Sequence, residues 1–322
     1  MYKFKTLWQA TLTATFTFTL ASGNALGGTF SGFAFDPGKI DSGIPGFVGP
    51  DGLGVISPNN TVNPIFKGWA TGFTNYLPAP GVLPQWQTPE RTLGPVTGTF
   101  DGIASLGELT AQQITDEVSP GQITLTFDSA IIDGDGADFA VFENGFGFDE
   151  TGSLFAELAY VEVSTNGIDF VRFPRVSLTQ DSIAPEGRID PTQVDNLAGK
   201  HVNNGVVFAG NSFVRSSWGT PFDLSVLKAL PLVQSGVVNL NSINFVRIVD
   251  IPGNGTFLDS ENRPIYDPWQ TPIPGSGGFD LEAVGVIHSQ SVPEPTSIVA
   301  IALAGVLGAS LRRSVNRAKS SR

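Results

Sequence analysis

Carboxylates spaced to meet at one point are the chemistry this chain offers most openly. Asp133-Gly134-Asp135-Gly136-Ala137-Asp138, with Glu143 a few residues on, sets acids among glycines. Glycine lets the backbone bend until several oxygens face one centre, as a hard cation such as Ca2+ requires. The spacing is not that of an EF-hand, because the third aspartate falls one position late and no glycine follows it. A solvated Gly-Asp turn between two strands is the other reading. A second pair lies in Phe279 to His288, where strand alternation puts Asp280 and Glu282 on the face that Val284 and Val286 continue. Acids on a half-apolar face are partly buried and need a cation, an arginine or strong donors. Ca2+ held by Asp138, Glu143, Asp280 and Glu282 is one answer, with Asp133 and Asp135 as an alternative metal loop. Arg247, inside the apolar run Ile243 to Ile251, is the other.

Flat rings give a second kind of chemistry. Trp69, Trp86, Trp218, Trp269 and Tyr266 all stand in Gly/Pro-rich stretches, where a ring either stacks on a sugar or plugs a long loop onto the body. Tyr266 and Trp269, in Tyr266-Asp267-Pro268-Trp269, are the surface candidates for ligand binding. Enzyme signatures are missing: no cysteine, no G-x-S-x-G elbow, no phosphate-binding glycine loop, and His201 and His288 stand too far apart for a metal motif. Lys200-His201, following a glycine, reads as loop. The chain therefore reads as non-enzymatic. Hydrolysis of a glycan needs only two carboxylates, so pairs such as Glu157 and Glu162, or Asp280 and Glu282, keep a secreted glycan-active hydrolase as the alternative.

Composition says what frame must position these groups. Gly (38) and Pro (23) are abundant while charged residues are only 15%, which favours strands joined by turns. The net charge of −12 repels nucleic acid and tolerates divalent cations. Alternation predicts strands at Gly27 to Phe35, Gln122 to Phe127, Asp138 to Asn144, Leu158 to Ser164, Ile168 to Phe173, Ile243 to Ile251 and Phe279 to His288, with loop from Asp36 to Gln87. Asn166-Gly167 predicts a type I′ hairpin turn. One helix is expected, with Thr220 as N-cap, Pro221 in the first position and Leu224, Val226, Leu227 and Leu230 following. The fold class is all-β: a β-sandwich with long Gly/Pro-rich loops and one short helix, in one domain over 26–291.

The two ends say where this body works. Lys3 and Lys5, the apolar stretch Leu7 to Leu20 and Ser22-Gly23-Asn24-Ala25 have the layout of a secretory signal helix over 1–25. At the other end, over 292–322, Val292-Pro293-Glu294-Pro295 precedes an apolar run from Ile298 to Leu311 and then Arg312, Arg313, Arg317, Lys319 and Arg322. The cationic end holds the tail on the cytoplasmic side, leaving the body beyond the membrane. This order resembles the PEP-CTERM sorting tail of exported bacterial proteins. The resemblance implies a transmembrane sorting helix that sits in the inner membrane before processing, an exosortase-type processing enzyme as partner, and a cell-envelope, cell-surface or extracellular destination. Between the ends, W-A-T-G at Trp69, Q-W-Q-T-P-E at Gln85, D-F-A-V-F-E-N-G-F at Asp138, F-A-E-L-A-Y-V-E-V-S at Phe155, N-L-A-G-K at Asn196, W-G-T-P-F-D-L at Trp218 and G-G-F-D-L-E-A-V-G-V-I at Gly277 resemble a family of secreted bacterial proteins that often carry such a tail. That resemblance covers Trp69 to Ile287. It implies a jelly roll of the carbohydrate-binding or galactose-binding kind, no assigned reaction, and extracellular polysaccharide as a partner.

Overall fold

A computed structural model describes residues 28–148, 150–209, 211–270 and 277–290. The expected signal helix 1–25 and sorting tail 292–322 lie outside the described residues. The chain is mostly β. Its principal strands are β1 (Gly72–Leu77), β2 (Ala104–Ser105), β3 (Gln122–Ile131), β4 (Phe139–Phe148), β5 (Ala159–Ser164), β6 (Val171–Arg172), β7 (Val202–Ala209), β8 (Ser212–Ser216), β9 (Trp218–Phe222), β10 (Ile243–Asp250) and β11 (Asp280–Val286).

Two sheets carry the architecture. One is antiparallel throughout, in the order β6-β5-β10-β3-β1. The other is built around β4, which takes β9 on one side of its first half (Thr220 opposite Val141) and β11 on the other (Val284 opposite Val141). Along its second half β4 pairs in parallel with β7 (Asn204 opposite Phe146), and β8 hairpins back from β7. Strand alternation puts Ile123 and Leu125 of β3, Val161 and Val163 of β5 and Val246 and Ile248 of β10 into the same buried cluster as Phe139 and Val141 of β4 and Leu281, Val284 and Val286 of β11. The two sheets thus share one core, each fully buried side chain contributing about 1.5–3 kcal/mol. Phe139, Phe173 and Phe222 close it, with ring centroids 4.9–5.9 Å apart.

Four local expectations are corrected. Residues 28–35 form no strand: Ser31 is tied through its N–H and hydroxyl to Asp41, and Phe33 is buried in a second core with Leu158, Trp218 and Ile265. Thr220 and Pro221 lie in β9, because that segment pairs with β4; the helical turn begins only at Asp223, which caps a 3-10 turn over Leu224–Leu227. Asn166-Gly167 is no two-residue turn, since the strands pair at Val163 and Val171. Only Gly167 takes a positive φ, while Asn166 Oδ1 accepts the N–H groups of Ile168 and Asp169 at 2.9 Å in a wider loop. Within the stretch read as loop, Gly72–Leu77 forms the edge strand β1.

Candidate functional site

Where β5 begins, β10 ends and β11 begins, acids from distant parts of the chain converge. The N–H of Gly278 donates to Glu157 Oε1 at 2.8 Å, the N–H of Phe279 donates to Asp250 Oδ1 at 2.8 Å, and Asp280 follows. Asp267 Oδ2 accepts the N–H of Leu158, next to Glu157, at 2.7 Å. Glu143 stands in register with Leu281 across the β4–β11 pair, its Oε2 taking the N–H of Gly145 at 2.7 Å. Gly278 makes the approach feasible: its φ is +81°, and a Cβ there would lie 2.4 Å from the backbone carbon of Gly107, beside Glu108.

Glu143, Glu157, Asp250 and Asp267 are all buried. Burial pushes each of their carboxyls well above the usual carboxylate range, and their neighbours' negative charge adds to it. Asp280 acts in this way on Glu143, Glu157 and Asp250, and Glu108 on Glu157, Asp250 and Asp267. Burial pushes Asp280 itself up to about 7, with the Ser105 hydroxyl opposing. Among the described residues no Lys, Arg or His forms a salt bridge to Glu143, Asp250, Asp267 or Asp280.

The four acids expected to act together are therefore divided. Glu143 and Asp280 meet in this basin. Glu282 does not, because a β-bulge makes it the extra residue between Leu281 (opposite Glu143) and Ala283 (opposite Phe142). The bulge breaks the alternation that put Asp280, Glu282 and Val284 on one face. Glu282 instead accepts the N–H and hydroxyl of Thr97 (2.8 and 2.6 Å), the N–H of Gly98 (2.8 Å) and the amide of Asn203, and so anchors a turn. Asp138 is fully buried elsewhere, accepting from Gly134 N–H and Leu224 N–H at 2.7 Å and facing His288 Nδ1 at 2.8 Å. It meets Asp133 and Asp223, with ligand oxygens of the three within 4.8 Å of one another, but Lys228 already pairs with Asp133 at 2.7 Å. Asp135 is exposed and outside that group. Arg247 serves neither Asp280 nor Glu282: with Arg172 it pairs with Glu162.

The rings expected to bind ligand are partly buried. Trp269 is partly buried and its Nε1 donates to the carbonyl of Leu109 at 3.1 Å; Tyr266 is partly buried over Gly255, where a Cβ would lie 2.4 Å from its ring. Trp218 is buried, and Trp69 packs on Phe66 and Phe142. Among the described residues the exposed rings are phenylalanines. Register places Phe146, Phe148, Val206, Phe208, Phe213 and Arg215 on one face of β4, β7 and β8. The opposite face, at Gly147 and Gly205, receives Phe33. Phe100 stacks on Phe146 with centroids 6.0 Å apart, and the Arg215 guanidinium lies 3.8 Å over the Phe100 ring. Phe100, Phe146, Phe208 and Phe213 remain 50%, 39%, 56% and 49% exposed, so this is an aromatic outer face. The signal was present in the alternation F-G-F at 146–148, whose two rings point the same way in a strand.

No protein-family model matches the chain, and no curated protein matches it. Among the described residues, no helix is long and apolar enough to cross a membrane.

Proposed function

We propose that this chain is an exported, surface-sorted β-sandwich of jelly-roll type, acting as a structural or glycan-binding component of the cell envelope or extracellular matrix and not as an enzyme. The observation that carries the binding part is the aromatic outer face. A solvent-facing sheet surface ordinarily turns polar residues outward. Here four phenylalanine rings are left open beside Arg215, and exposed apolar groups gathered in this way mark a recognition surface. Rings for stacking interleaved with polar side chains suit a polysaccharide. The export part is supported by the layout of residues 1–25 and 292–322. An exosortase-type enzyme would act on the tail while its helix holds the inner membrane.

Two measurements test the reading. Wild-type protein should be retained on at least one insoluble or immobilised polysaccharide, and Phe208→Ser with Phe213→Ser should weaken retention tenfold or more; no retention across an envelope and matrix glycan panel overturns glycan binding. The intact mass of protein released from the cell surface should lack Arg312 to Arg322.

A secreted glycan-active hydrolase is the second reading, favoured by Asp280 and Glu143. Burial raises both carboxyls above the usual carboxylate range, Asp280 to about 7, and a raised carboxyl is what a general acid requires. Release of reducing ends from a polysaccharide, abolished by Glu143→Gln, would establish it in place of the binding role.

A further inference from the structure

Two acids where β10 ends and β11 begins, Asp250 and Asp280, hold buried oxygens that have no hydrogen-bond partner among the described residues. Asp250 has no exposed surface, and its Oδ2 has no hydrogen-bond partner, while Oδ1 is fixed by the N–H of Phe279. Asp280, the next residue, has a buried Oδ1 that is likewise unpartnered. A buried carboxylate oxygen without a donor is costly, and the other acids of the basin add repulsion. The charge has two remedies: protons or a cation.

The geometry points to a divalent-cation site in this basin, with Asp250 and Asp280 as inner ligands and Glu143, Glu157 and Asp267 as the carboxylates around it. The donor set is oxygen only, with neither Cys nor His among these residues, which selects a hard cation of the Ca2+ class over Zn2+ or Cu2+. The ligands come from both sheets: Asp250 ends β10 and Glu157 precedes β5, whereas Glu143 lies in β4 and Asp280 opens β11. An ion there would tie the two layers together in a chain that has no disulfide.

The trio Asp133, Asp138 and Asp223 has its oxygens closer together, within 4.8 Å. It is the weaker site, because Lys228 already pairs with Asp133 Oδ2 and the donors Gly134, Leu224, Ser225 and His288 serve Asp138 and Asp223, leaving Asp133 Oδ1 as its one buried oxygen without a partner among the described residues. No three of the basin acids bring their oxygens within 4.8 Å of one another, so an ion would have to draw mutually repelling carboxylates together.

The site is independent of the aromatic face, so its failure would leave the glycan reading standing. The test is a thermal melt of the full-length chain in EDTA, in millimolar CaCl2 and in millimolar MgCl2. Calcium should raise the melting temperature by roughly 5 °C over EDTA. Asp250→Asn should abolish that shift while melting in EDTA at or above the wild-type temperature, because it removes a carboxyl whose ionisation burial and acidic neighbours oppose. An acid held only by structural hydrogen bonds would instead lower the melt in EDTA. Asp280→Asn and Glu143→Gln provide the same reading should Asp250→Asn fail to fold, and Asp133→Asn should keep the full shift. Wild-type melts that coincide with and without calcium overturn the proposal, as does loss of the shift in Asp133→Asn with its retention in Asp250→Asn.

Discussion

Lys200 and the acidic basin are the same problem solved and left open. Lys200 is buried, with its ammonium donating to the carbonyls of Ser31 (2.9 Å), Pro191 (2.6 Å) and Val194 (2.7 Å) and standing 3.2 Å from Asp41. There the chain builds an oxygen cage and supplies its own cation. Glu162 is treated alike, flanked by Arg172 and Arg247. At Asp250 and Asp280 the chain builds the oxygens, and no Lys, Arg or His among the described residues pairs with them. Elsewhere a buried charge is met by an opposite one, as at Lys200 and Glu162, or by a set of donors, as at Glu282. That difference is what the proposed cation would resolve.

The sharpest way to break this comparison is to empty the Lys200 cage. Lys200→Met should cost about 4 kcal/mol, because it leaves Asp41 and three carbonyls facing an apolar tip. Denaturant unfolding measures it; a loss under 1 kcal/mol would mean that the cage does not depend on its cation. The next effect separates the two regions by pH. Burial, aided by the positive charge of Lys200, lowers His201 to about 4. Below pH 6.5 the unfolded chain gains a proton that the folded chain refuses, so His201 removes about 3 kcal/mol of stability as pH falls from 6.5 to 4. The basin works in the opposite direction, since its raised carboxyls bind protons in the folded state and add stability on acidification. Subtracting the profile of His201→Asn from that of wild type isolates the histidine; a flat difference between pH 4 and 6.5 would refute its assignment.

A smaller effect concerns the basin's own repulsion. In EDTA at pH 7.5, Asp250→Asn should leave stability unchanged or raise it by about 1 kcal/mol, against the loss expected at Lys200. Smallest of all, Phe208→Ser should alter stability by less than about 0.5 kcal/mol, as an exposed side chain held for recognition would. A larger loss would make the aromatic face a structural one.

Much of the sheet framework was legible, because β3, β4, β5, β10 and β11 carry apolar alternation or unbroken apolar runs whatever surrounds them. The basin was half legible. Glu143 and Asp280 drew notice as acids at the ends of apolar strands, and Asp250 in I-V-D-I has the same signature. Glu282 misled, because one bulged residue reverses the parity on which every later side chain depends. Asp267 and Glu157 could not be placed at all, since only tertiary approach sets them beside Asp250. For Thr220-Pro221, sound capping chemistry lost to pairing with β4, a case of tertiary context overriding local preference.

The partners of β4 are spread along the whole chain: β7 lies some sixty residues downstream, β9 further still, and β11 only at 280–286. The central strand therefore cannot be enclosed until nearly the last described residue is available. A chain threaded through a channel from its amino end would wait, unfinished and pliable, until that closing strand came through. For a chain exported in that way the topology would act as a timer, deferring closure of the sheet until the last described strand had come through.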